Sequence, residues 1–500
     1  MVNVCSQCGK PTSLSSGPFH SVRDEIDFIN QETSHIDDQI RLLCEQKASL
    51  TRRLNQLRST TRVIPPETLS LIFQHTCCFK KATTLSEYQR QINVLPLIRI
   101  GTVCSLWRQI AWSTPAIWST VIADIRTRNA KSTTFILELC LRNAGTVPLT
   151  LDLRFYEQDL LSWGMDPAII KTIADLVLKH PGNAERIRVL LLQDPPIVWV
   201  DHFSERLHNL ESLTLAGFTA GVNWTDITFP RLPSLRHLSV SDMWHRITMT
   251  SAEGITVLKL SNTCIDSCVG LLRQCMNVEE CQFEADQSDR DESEDGQARN
   301  IISSSITFPR LRVFTWPFST GRSNLSLFQH MRLAVLERLR ISCPLIRGSI
   351  PPPAIEVLKA FFDRSPSTFR ILELDQWSCT RENVSLLFPS LPSSTKKLLL
   401  ADCPETFTTH ILRGLNPNLG ESKALPLLDN LQAEAISKQG YQLLLQTLEN
   451  REEGRVTPFR VLLPKPSLRQ QDMAKQLEKF VEYKGDQGFQ IKLEFFARYR

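Results

Sequence analysis

The sequence contains no apolar run near the roughly eighteen residues that a membrane-spanning helix needs. Its first residues lack the basic start, apolar middle and small-residue cleavage site of a secretory signal. It has no GxSxG, no HExxH and no GxxxxGK[ST], so the short motifs of serine hydrolases, zinc proteases and P-loop nucleotide enzymes are missing. Neither charge sign dominates: 57 basic and 53 acidic side chains are interspersed and leave a net charge of +4. The concentrated basic stripe of a nucleic-acid-binding protein is therefore absent. The 14 cysteines fall mostly inside segments with helix or strand periodicity, unlike the dense framework of a small secreted domain. These absences lead to the expectation of a cytoplasmic or nuclear protein with reduced thiols. It would have no cofactor, no membrane or nucleic-acid partner and no covalent chemistry. A chain of 500 residues has ample length for about three domains and a sizeable core.

Residues 1–20 read as a flexible N-terminus. Cys5 and Cys8 in CSQCG form half of a zinc knuckle. No second CxxC or HxxxH follows at finger spacing, and His20 and His35 are the nearest other ligand types. Two free thiols are the simpler reading, so no metal site is assigned. Over residues 21–60 the pattern changes. Ile26, Ile29, Thr33, Ile36, Ile40, Leu43, Lys47, Leu50, Leu54 and Leu57 recur at alternating spacings of three and four, with no proline or glycine between them. That is a heptad seam with Ile26 at a and Ile29 at d, which predicts a coiled-coil helix. Such a helix pairs with a second copy to give a homodimer, pairs with a different coil, or folds back on its own protein.

Residues 62–120 predict a compact helical block. Pro66 suits a first helical position and Glu67 suits the positive end of the helix dipole. Leu69, Ile72, Phe73 and Thr76 then share one face at helical spacing. Leu97, Ile100, Cys104, Trp107 and Ala111 predict a second helix, its stripe widened by Val103 and Ile110. Thr114-Pro115 predicts an N-cap and first-turn proline for a short third helix carrying Ile117 and Trp118. This much apolar surface exceeds what three short helices bury among themselves.

IPPETLSLIF, then VCSLWRQIA, then STPAIWS resembles the F-box of proteins from mushroom-forming fungi. Ile64 stands where the family usually has leucine, and the connection from Cys77 to Leu95 is longer than in a minimal F-box. The resemblance implies docking on the Skp-type adaptor of a cullin–RING ubiquitin ligase. It assigns that docking, or the core of the block, to Ile64, Pro65, Leu69, Ile72, Phe73, Val103, Cys104, Trp107 and Ile110. In the resembling proteins a heptad helix often precedes the F-box, as it does here.

Residues 121–500 alternate short apolar strands with helical segments. Early strands are expected at Val147–Leu153 and Arg186–Leu192, with a helix from Asp166 to Gly182 between them. A unit LxxLxxLxL then recurs, its strand pairs being Leu213/Leu215, Leu238/Val240, Leu258/Leu260, Cys281/Phe283, Phe314/Trp316, Leu339/Ile341, Leu372/Leu374, Leu398/Leu400 and Leu431/Ala433. The intervals are 25, 20, 23, 33, 25, 33, 26 and 33 residues, and those in the twenties match a leucine-rich repeat. FPRL occurs at both 229–232 and 308–311, which points to internal duplication. The acidic stretch 285–300 reads as a mobile loop. A strand at Phe459–Leu463, a helix at Arg469–Glu482 and a strand-like Phe489–Phe496 would cap the array. The predicted fold class is thus α plus α/β: coiled-coil helix, small helical F-box, then an irregular leucine-rich-repeat solenoid with a parallel sheet.

Two further features concern chemistry and binding. Cys264, Cys268, Cys275 and Cys281 are close in sequence, but they fall on an amphipathic helix and a repeat strand, where cysteine acts as a small hydrophobe. In an LxL strand the middle residue points away from the buried pair. This makes Thr214, Ser239, Lys259, Gln282, Thr315, Arg340, Glu373, Leu399 and Gln432 the candidate contacts for a target protein. Leu399 is the apolar exception, readable as a slipped register, a capping contact or an anchor. The functional expectation is an adaptor that holds an unknown target beside a cullin ligase, and not an enzyme. The alternatives are a non-degradative scaffold, or an enzyme with an unrecognised site in the α/β half.

Overall fold

The computed structural model describes residues 21–58, 63–77, 95–126, 129–156, 167–196, 199, 202–203, 205–217, 227–242, 247–284, 302–343, 350–416, 425–451, 459–467, 470–486 and 491–496. The expectations for residues 1–20 with Cys5 and Cys8, and for the acidic loop 285–300, lie outside these residues. The chain divides into two compact units, residues 1–73 and 74–500. It is mixed helix and sheet, with a long N-terminal helix and a large parallel sheet. No helix among the described residues is long and apolar enough to cross a membrane.

In the first unit, helix α1 runs Val22–Arg58. The Ser21 hydroxyl accepts the Asp24 N–H at 3.2 Å, as a helix-capping side chain does. Asp24 and Glu25 in the first turn and Arg58 in the last complement the helix dipole. Helix α2 begins in this unit and spans Pro66–Cys77, starting at the proline that the sequence marks. The Pro65 carbonyl accepts the first helical bond, from Leu69 N–H at 3.1 Å.

The second unit opens with α3 (Leu95–Val103) and α4 (Ser105–Trp112). The single helix expected across Leu97–Ala111 is therefore two. The break falls at Cys104, whose extended backbone (φ −159°, ψ 171°) makes it the N-cap of α4, and its Sγ accepts the Trp107 N–H at 3.4 Å. The third expected helix is a single 3₁₀ turn, Pro115–Trp118. Thr114 does not cap it, because its hydroxyl donates backwards to the Ile110 carbonyl at 2.7 Å.

Beyond this point, among the described residues, fourteen strands from Thr120–Ile125 to Ile491–Phe496 form one sheet whose strand order is chain order. Every recorded pairing in it is parallel, for example Leu213 with Leu238 and Leu238 with Leu258. The first strand, Thr120–Ile125, was not among the sequence expectations. The expected helix between the early strands is also different. It is α-helical over Pro167–Ala174, passes into a π turn at Asp175–Lys179, and one further turn follows at Pro181–Ala184. The closing elements fall at Phe459–Pro464, Gln471–Asp486 and Ile491–Phe496, near the expected positions.

Each unit of the sheet is built alike because each repeats the same apolar spacing. In Leu207-x-x-Leu210-x-x-Leu213-x-Leu215 all four leucines are buried, and Leu210 N–H closes a tight turn on the Leu207 carbonyl at 2.9 Å. The same turn precedes the strands at Leu238, Leu258, Cys281 and Leu372. A fully buried leucine contributes roughly 1.5–3 kcal/mol, so the pairs account for much of the stability. Strand ends repeat as well. Asp194, Gly217, Asp242, Asn262, Gln376 and Asp402 all have positive φ, between 44° and 64°. Five of their N–H groups continue the ladder, for example Gly217 to Ser241 O and Asp242 to Ser261 O, both at 3.0 Å, whereas Asp402 N–H donates to the Glu434 carboxylate at 3.1 Å. Asp, Asn and Gly are the residues that tolerate this left-handed region. In the middle of the array Trp316 packs edge-on against Phe283 and stacks on Phe314, at 5.1 and 5.4 Å between ring centres.

Candidate functional site

The helical block divides its apolar residues between core and solvent. On α2, Leu69, Phe73 and Cys77 are buried, a stripe at spacings of four. Ile72 and Thr76, expected on the same face, are exposed, as is Leu71. Ile64 is half-buried and Pro65 exposed. In α3 and α4, Ile100, Ile110 and Ala111 are buried, Cys104 and Trp107 half-buried, and Val103 exposed. Ile98, Leu106 and Trp112 are further exposed apolar side chains. The sequence reading missed these because they sit off the main stripe. No side chain is present at Gly101 to keep Trp112 away: a Cβ there would meet the Trp112 ring at 2.5 Å. Arg108 Nε also donates to the Gly101 carbonyl at 2.8 Å. The Trp112 ring meets Trp118 edge-on at 5.4 Å. Trp118 is itself buried, with its Nε1 donating to the Ala111 carbonyl at 2.8 Å.

The second candidate is the sheet face opposite the LxL pairs. All nine predicted residues stand in one unbroken cross-strand row. Thr214 registers with Ser239, Ser239 with Lys259, Lys259 with Gln282, and Gln282 with Thr315. The row continues through Arg340, Glu373 and Leu399 to Gln432. Lys259 is exposed, and Thr214, Ser239, Gln282, Thr315, Arg340, Leu399 and Gln432 are half-buried.

Glu373 departs from the expectation of an open position: it is 7% exposed. Its carboxylate is clamped by two guanidiniums, Arg338 at 3.0 Å and Arg340 at 3.3 Å. Arg340 also holds Asp375, two residues along the same strand, at 2.9 Å. Burial works against the Arg340 charge, but the bond to Asp375 and the nearby Glu373 outweigh it and raise its pKa. Burial raises the Asp375 pKa, and Arg340 offsets only part of that rise. Two of the three charged candidates are thus engaged with each other.

A second ion pair lies nearer the start of the sheet, which the sequence reading also missed. Arg154 donates to both Asp152 oxygens, at 3.1 and 2.8 Å, and is only 2% exposed. Burial raises the pKa of nearby Asp124. The signal was present in TLDLRF, where two charges interrupt an apolar strand.

The neighbouring cysteines are mostly packing groups. Cys268, Cys275 and Cys281 are buried and Cys264 is half-buried. Burial pushes the Cys275 thiol up to about 12 and that of Cys281 well above its ordinary value. Cys275 ends the helix Ile265–Gln274 and does not lie within it.

No family model matches the chain, and no curated protein matches it.

Proposed function

We propose that the chain is the substrate-recognition adaptor of a Skp–cullin–F-box ubiquitin ligase. Residues 62–120 are its F-box and residues 121–500 a leucine-rich-repeat solenoid with the closing elements as its cap. The observation that carries this reading is the set of exposed apolar side chains on α3 and α4. Val103, Leu106 and Trp112 are between 37% and 59% exposed. Large apolar groups concentrated on short helices mark a protein-binding surface. Val103 belongs to the F-box pattern itself, as does Ile72, which is exposed on α2. The row from Thr214 to Gln432 supports the second half of the reading. It presents mainly polar side chains along one sheet face, suited to a folded protein target.

The mechanism is proximity. One end docks on the adaptor, the sheet face holds the target, and the ligase's partner enzyme transfers ubiquitin at raised effective concentration. The test is co-expression with a Skp-type adaptor, comparing the wild-type chain with Ile72→Asp and Val103→Asp. Both positions are exposed, so both variants fold and both lose co-purification. Undiminished co-purification of both folded variants overturns the assignment. Binding that persists without any ubiquitin transfer to a captured target identifies a non-degradative scaffold.

A further inference from the structure

The seam of α1 is uncovered along its whole length, with its isoleucines and leucines between 45% and 72% exposed. The charges on the same helix are divided by position. Residues 22–38 hold six acidic side chains and one basic, whereas residues 39–58 hold five basic and one acidic. We infer that α1 pairs with α1 of a second copy of this chain, in antiparallel orientation.

Two features of the seam select both the occupant and its direction. In a parallel, in-register pair each a residue meets its own copy, so Lys47 would face Lys47 across the core. Residues at g would face e of the next heptad, setting Glu32 against Asp37 and Arg53 against Arg58. Every one of these contacts sets like charges together. Reversing one helix changes them. In the register that overlaps all ten seam positions, a layers face d layers. Lys47 then lies opposite Ile36, where its stem packs and its ammonium reaches water, and Thr33 lies opposite Leu50. Ile40 meets Leu43 at the centre. At the flanks g faces g, which brings Glu32 to Arg53, and by symmetry this contact occurs twice. The acidic half of each helix runs along the basic half of the other, and the two helix dipoles oppose. The one like-charge approach, Arg23 with Arg58, falls at the outer ends, where helices fray.

The full-length chain carrying Thr33→Cys and Leu50→Cys reads both orientations at once. Along one helix the two positions are about 25 Å apart, far beyond disulfide reach, so any bond between them joins two chains. After mild oxidation, peptides linking 33 to 50 are expected by mass spectrometry. Peptides linking 33 to 33 or 50 to 50 overturn the inference in favour of a parallel pair. Sedimentation of the unmodified chain is expected to show a dimer, and a monomer at tens of micromolar also overturns it. Charge reversal gives an independent reading. Glu32→Lys weakens an antiparallel dimer several-fold, and adding Arg53→Glu restores it. In a parallel dimer Glu32→Lys strengthens association, so the sign of its effect decides.

Discussion

Removing Arg340 tests whether the polar row is a free recognition surface or is partly committed to the fold. Its guanidinium bridges Glu373 at 3.3 Å and Asp375 at 2.9 Å. Glu373 keeps Arg338 when Arg340 is truncated. Asp375, only 7% exposed, has Arg340 as its one ion-pair partner among the described residues. Breaking a buried pair from one side costs roughly 3–5 kcal/mol, because a charge is left without compensation. Arg340 is 34% exposed on its side chain, so water recovers part of this. The cost of Arg340→Ala is about 2–3 kcal/mol, below the fully buried range.

A long array need not unfold as one cooperative unit, so the appropriate readout is local. Hydrogen exchange of the strands Arg338–Ser342 and Ile371–Asp375 in Arg340→Ala should quicken roughly 30- to 150-fold, the equivalent of that energy. The decisive comparison is the second substitution. Asp375→Asn in the Arg340→Ala background should slow exchange again, since it removes the stranded charge. Exchange changed by less than about threefold, or quickened further by Asp375→Asn, would refute the reasoning. Acid should help the single variant too. Burial raises the folded Asp375 pKa above its ordinary value, and removing Arg340 raises it further. Between the unfolded and folded values the native state holds a proton that the unfolded chain has released, so stability falls as pH rises through that window. The Arg340→Ala defect therefore shrinks as the pH is lowered toward the ordinary aspartate value, once intrinsic exchange rates are divided out.

Two further outcomes follow from the packing. Gly217 has φ +64°, and a Cβ there would lie 2.0 Å from Asp194 Oδ1. Gly217→Ala should cost about 1–3 kcal/mol in local exchange, of which Asp194→Gly, which keeps a residue suited to φ +49° there, recovers the steric part and leaves the backbone part. With an alkylating thiol reagent under native conditions, Cys44 is exposed and should label quickly. Cys275, its thiol pushed up to about 12 by burial, should label only on unfolding. Peptide mass spectrometry distinguishes the two, and rapid native labelling of Cys275 would contradict its packing role.

How far each feature was legible follows from the range of the interaction behind it. The LxxLxxLxL spacing sets a local turn and a period-two strand, so the pairs from Leu213/Leu215 to Leu431/Ala433 and the open-face row were readable by position. The break at Cys104 was not, because the apolar stripe of α3 continues at helical spacing into α4 and neither proline nor glycine stands at the junction. The left-handed strand ends were available as Asp194, Gly217, Asp242, Asn262 and Asp402, each directly after a strand, a pattern of five letters spread over two hundred residues. The Arg340–Glu373–Asp375 network was beyond reach. The LxL spacing sets Arg340 beside Glu373, but no short pattern says that Arg340 reaches both Glu373 and Asp375 while Arg338 also turns to Glu373.

Register also decides what Leu399 can be. A slip of one residue would bury Leu399 and expose its neighbours, yet Leu398 and Leu400 are buried and Leu399 pairs with Glu373 on one side and Gln432 on the other. A capping contact fails as well, since three more strands follow, at Asn430–Ala433, Phe459–Pro464 and Ile491–Phe496. Two strands further on, Leu462 occupies the same row opposite Gln432. Leu399 and Leu462 are therefore two half-buried apolar groups on a polar face, with Leu399 directly beside Glu373 of the ion-pair network. Apolar groups held rigidly on such a face lose little freedom when covered, which is what an interface anchor requires. Under the adaptor reading, Leu399→Ser and Leu462→Ser together should release the target while leaving both the fold and adaptor binding intact.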